Sequence, residues 1–119
     1  GGGAASTLDI AVGTSGSVSD VARVSVTKPA GTAVIDQASV QINATVRGPL
    51  SASGIMIGQF TLWHNLQLTG HAVIPCVCVN TISSGFDVTV PNLFVGVCLT
   101  SGANDVITVN MVQAEAINI

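Results

Sequence analysis

Ala72-Val73-Ile74-Pro75-Cys76-Val77-Cys78-Val79 and Val88-Thr89-Val90-Pro91-Asn92-Leu93-Phe94-Val95-Gly96-Val97-Cys98-Leu99 are two strongly apolar runs, with Asn80-Thr81-Ile82-Ser83-Ser84-Gly85 between them. Both runs are rich in β-branched residues and bounded by turn formers. They read as strands buried on both faces, set opposite each other across a turn. A strand that is apolar on both faces needs cover on both. One β layer of a 119-residue chain supplies part of that cover, so a second copy of the chain is expected to supply the rest.

Outward from this pair the chain reads as further strands. Leu8-Asp9-Ile10-Ala11-Val12 alternates and stops at Gly13 to Ser17, and Val24-Ser25-Val26-Thr27 alternates up to Lys28-Pro29. Proline lacks a donor N–H and ends central pairing. In Ala38 to Arg47 the residues Ala38, Val40, Ile42, Ala44 and Val46 point one way, and Ser39, Gln41, Asn43, Thr45 and Arg47 the other. That period predicts a half-buried antiparallel strand. Gly48 to Gly54 reads as a loop, and Met56, Phe60 and Leu62 share one face of the next strand. Ser101 to Asp105 is a turn into a final strand over Val106 to Ile119, with Ile107, Val109 and Met111 on one side. Sustained helical periodicity is missing. The expected fold is all-β, an antiparallel two-sheet sandwich or jelly roll of about seven or eight strands. It forms one domain over residues 8–119, preceded by a flexible glycine-rich arm over residues 1–7.

Composition narrows the function. Charged residues are 8% of the chain, against about 25% in an ordinary soluble domain, and the mean hydropathy is +0.66. Folded accessible surface at this mass is roughly 5,900 Å². Nine charges cannot cover it, so uncharged polar residues or neighbouring molecules must. Arg23, Lys28 and Arg47 are the whole basic complement and do not cluster, which speaks against direct nucleic-acid binding. The apolar runs fall well short of the ~20 residues of a spanning helix, and aromatics at 3% cannot build the girdles of an outer-membrane barrel. No stretch with a cationic start and an apolar run of signal-peptide type occurs. An odd cysteine count, three, argues against a disulfide framework and for folding in a reducing compartment, with cysteine as a small buried hydrophobe.

Candidate chemistry is thin. His64 and His71 with Cys76, Cys78 and Cys98 contain the atoms of a zinc site. However, zinc sites space paired cysteines by two to four residues in turns, and a Cys-x-Cys inside a valine strand fits core packing better. No nucleophile elbow marks a catalytic serine or cysteine. The acids Asp9, Asp20, Asp36, Asp87, Asp105 and Glu115 are scattered beside turns. The expectation is a non-enzyme with no cofactor and no metal.

With its Gly1 to Ser6 arm, its two-sided apolar strands Ala72–Val79 and Val88–Leu99, and the Ser101 to Asp105 turn before a C-terminal strand, the chain resembles small virion proteins of tailed phages. The resemblance is to the capsid decoration, or cement, type. It is one of composition and layout over the whole chain, and no residue role carries across. It implies a virion structural protein, assembled in the host cytoplasm, that strengthens a shell through subunit contacts. Its partners would be further copies of itself, a trimer being favoured, and a major capsid or other virion protein. The alternative is a cell-surface or secreted binding module such as an adhesin, filament subunit or carbohydrate-binding sandwich; the exposed aromatics or calcium-binding acids it would use are scarce. The expected interface residues are Gly1, Gly2 and Gly3 through main-chain pairing, Leu8, Ile10 and Val12 directly downstream, and Trp63, Val77, Val79 and Phe94 on the apolar strands.

Overall fold

The computed structural model of the chain describes residues 5–28, 37–47, 49–64, 76–102 and 107–117. The strands are β1 (Ser6–Gly13), β2 (Ala22–Lys28), β3 (Ala38–Arg47), β4 (Ile55–His64), β5 (Cys76–Ile82) and β6 (Phe94–Thr100). They form two antiparallel three-stranded sheets, ordered β2-β1-β6 and β3-β4-β5. The protein is all-β, and among the described residues it has six strands rather than seven or eight.

Ala38 to Arg47 form β3 over the full predicted length, but the strand is not half-buried: Ile42 alone is partly covered and the other nine residues are exposed, because β3 lies at the margin of its sheet. Val40, Ile42, Ala44 and Val46 stand opposite Leu62, Phe60, Gly58 and Met56 of β4, so one face of each strand joins a common apolar surface. In β2 the ladder to β1 steps from Ile10↔Val24 to Ala11↔Ala22 and leaves Arg23 as an extra residue. Such a bulge re-aims the side chain it carries. Arg23 accordingly lays its guanidinium over the ring of buried Phe86, 4.6 Å from the centroid.

Three further expectations need correction. The two apolar runs do not face each other across a turn. Asn80, Thr81 and Ile82 continue β5, and residues 83–93 cross to the other sheet, where β6 begins at Phe94. The crossing is pinned to the start of β4. Gly54 and Phe86 exchange both backbone hydrogen bonds, at 2.7 and 2.9 Å, and the Val88 N–H donates to the Ser51 carbonyl at 3.1 Å. The Met56 N–H donates to Ser83 Oγ and the Ser83 N–H to the Met56 carbonyl, each at 2.9 Å. The run then breaks because the Asp87 carboxylate captures the Thr89 N–H and hydroxyl, and because Asn92 takes a φ of 60° after Pro91, a conformation asparagine tolerates.

The second correction concerns the C-terminus, where no ladder forms over residues 107–117 and every one of them is exposed. The third concerns the N-terminal arm. Ser6 and Thr7 belong to β1, opposite Lys28 and Thr27, and Ser6 is 2% exposed. Gly1, Gly2 and Gly3 lie outside the described residues.

The core draws Ile10, Val12 and Val24 from one sheet, Met56 and Phe60 from the other, and Phe86 and Val88 from the crossing. The sheets close in where Gly58 offers no side chain. A Cβ built there would meet Val24 Cγ2 at 2.9 Å and Ile10 Cδ1 at 3.4 Å. Gly58→Val should therefore destabilise the fold by about 1–3 kcal/mol through overpacking, and Met56→Ala by about 2–5 kcal/mol through a cavity. Val18→Ala, at an exposed position, should change little. Urea denaturation of the three variants checks the ordering.

Candidate interaction surface

The sheets meet on the side of β2, which approaches both β4 and β5. Their far margins are β6 and β3. Val95, Val97 and Leu99 of β6 stand opposite Val12, Ile10 and Leu8 of β1, so they extend the face on which the core is built. Here that face is uncovered: Val95 is 62% exposed, Val97 58% and Leu99 43%. On β3 the equivalent residues Val40, Ala44 and Val46 are also exposed, and Ile42 alone packs against the core. Within one copy of the chain the second apolar run lacks the cover expected on both faces, since β6 is a margin strand that nothing in the described residues covers.

The other face of β6 is open too. A Cβ built on Gly96 would find no atom within 4 Å. Phe94 rests on the β1–β2 loop, its ring about 3.2 Å from a Cβ built at Gly16, and still exposes about half its surface. Beyond β6, Ile107, Val109, Met111, Val112 and Ile117 are exposed as well.

The remaining expected interface residues are distributed as follows. Leu8, Ile10 and Val12 turn to the chain's own core, Ile10 and Val12 fully buried and Leu8 partly. Ile10 and Val12 have no surface left for a neighbour. Trp63 is half-exposed and pairs with Ser39 and Cys76. Val77 and Val79 stand opposite Leu62 and Phe60 in register. Of the zinc candidates, Cys98 is a free, half-buried thiol on β6 opposite Asp9, in a different sheet from Cys76 and Cys78. His71 lies outside the described residues. No cluster of metal-ligating side chains forms among the described residues.

A recess of about 180 Å³ is lined by Arg47, Pro49, Ser51, Ser53, Gly54 and Ile55. No helix among the described residues is long and apolar enough to cross a membrane. Comparison of the chain with protein-family models, with curated proteins and with solved structures finds no match.

The loop beneath Phe94 is held by Asp20. Its carboxylate accepts the Ser15 hydroxyl at 2.7 Å and the Ser15 and Gly16 N–H groups at 3.0 and 2.8 Å. The Ser15 hydroxyl is the main cause of a pKa lowered from 3.8, with the backbone donors adding and partial desolvation opposing. A pKa lower in the folded than in the unfolded chain stabilises fully above the unfolded value and is lost as the pH falls through the folded one. Asp20→Asn should therefore melt below the wild type at neutral pH, with the gap closing in acid. Thermal melts across the acid range check this, and a gap independent of pH would count against the carboxylate as the anchor of the loop.

Proposed function

We propose that this protein is a non-catalytic structural subunit that works by associating with copies of itself, and that it belongs to an assembly of the virion-shell kind as a decoration protein. The observation that carries the proposal is the uncovered core-side face of β6, Val95, Val97 and Leu99, which continues the apolar surface of Leu8, Ile10 and Val12. Monomers keep large contiguous apolar patches off their surface, because exposed ones drive association. A chain with 8% charge lacks the residues to solvate such a margin and gains by placing it against a neighbour.

Within that proposal the two sheets form a β-sandwich whose open margins are completed in the assembly. The protein would reside on the particle, docked to a major capsid or other shell protein, without contacting nucleic acid. Two measurements check it. Light scattering coupled to size exclusion should give a defined homo-oligomer at micromolar concentration, and the purified protein should co-sediment with the bare shell of its source particle. A stable monomer that binds glycans would point instead to a surface-binding module.

A further inference from the structure

We infer that copies are joined by strand donation: residues 107–117 of one copy add to the free edge of β6 in a second. This rests on the self-association proposed above and names the two surfaces that make the contact. β6 is bonded on one side to β1, and its other edge has no strand among the described residues. An outer strand normally protects such an edge with charge or a covering element. β2 carries Arg23 and Lys28, and β3 carries Arg47. β5, uncharged like β6, has β2 close by. β6, Phe94-Val95-Gly96-Val97-Cys98-Leu99-Thr100, has no charge, and nothing among the described residues covers it.

The same chain holds a segment with the complementary need. Residues 107–117 contain no turn, bend or ladder and are exposed throughout, with Val109 at 60% and Met111 at 83%. A segment outside any ladder leaves its backbone N–H and C=O groups to solvent, and a strand edge leaves a matching row. The side-chain periods agree. Placed beside β6, Ile107, Val109 and Met111 fall on the face of Val95, Val97 and Leu99, and Thr108 and Asn110 on the face of Gly96 and Cys98. Ile107 to Gln113 spans the length of β6 without a charge. Each copy donates one segment and accepts one, so the contact closes as a reciprocal pair or a ring, or propagates as a filament where the rotation between copies does not close.

The test uses the full chain throughout. Val97→Asp breaks the accepting edge and leaves the donor intact, whereas Val109→Asp does the reverse. Both positions are more than half exposed, so circular dichroism and melting of the monomer should be unaltered. By light scattering, wild type should be assembled and each variant alone monomeric. An equimolar mixture at the same concentration should form one-to-one pairs, the Val97→Asp copy donating to the Val109→Asp copy. Asn110→Pro, which removes a ladder donor without touching the apolar face, should behave as Val109→Asp. If Val97→Asp fails to fold, Val95→Asp probes the same edge.

Assembly of Val109→Asp and Asn110→Pro at the wild-type level would overturn strand donation while leaving self-association standing, with β6 joined to some other surface. A lowered melting temperature with unchanged oligomeric state would also overturn it, because the segment would then be pairing within its own chain. A mixture that stays monomeric would do the same. A monomeric wild type would instead sink the self-association from which the inference starts.

Discussion

The approach of Val24 and Ile10 to the bare backbone of Gly58 is the contact on which the arrangement of the two sheets depends. A side chain at residue 58 would hold the sheets apart where their core is densest. With glycine there, β2 lies close over β4 and β5, and the core residues of both sheets converge with Phe86 and Val88. This close fit has a consequence at the other side of the molecule. Sheets of three strands that meet along β2, β4 and β5 leave β6 and β3 as margins. The faces that would continue the core, Val95 to Leu99 on one margin and Val40 to Val46 on the other, remain open.

The crossing between β5 and β6 explains how so small a chain fills its core. Residues 83–88 continue alongside the start of β4 after the β5 ladder ends, held by backbone bonds to Gly54, Met56 and Ser51 and by the Ser83 hydroxyl. That pairing aims Phe86 and Val88 inward. Arg23, displaced inward by the β2 bulge, covers the Phe86 ring with its guanidinium. Its Nε has no hydrogen-bond partner, so the contact with the ring is the compensation it finds there. One of the few charges in the chain is thus used to close the core.

The charge deficit and the open margins are connected. A soluble monomer would place charge along an outer strand, as β3 does with Arg47 and β2 with Lys28. β6 and the described part of the C-terminal segment up to Gln113 have none, and both expose valine and other apolar side chains. In the proposed assembly each would satisfy the other's backbone and apolar surface, and the shortage of charge would cease to be a liability. Specificity would come from register. A slip of one residue would turn Val109 and Met111 away from Val97 and Leu99, which penalises misaligned contacts.

Strand identity was legible in the sequence wherever a period of two was clear. Ala38 to Arg47 and Met56 to Leu62 lie in strands as expected, because alternation is imposed by the pleat itself and needs no knowledge of neighbours, but the apolar face of Ala38 to Arg47 is covered only at Ile42. The strong β-branched runs around Val77 and Val97 likewise marked strands. What a run of valines cannot encode is what covers it. Burial within the chain, burial against a neighbour and exposure on a margin all have the same local composition, so β6 reads as core and lies at an edge. Ile10 and Val12 read as contacts for a neighbour and lie in the core. The break at Asp87 to Asn92 depends on a side-chain carboxylate and one left-handed residue, signals that β-branched neighbours masked. Which strands share a sheet, and that β5 and β6 part company, was decided by tertiary structure alone, since sheet membership follows from pairing between residues far apart in the chain.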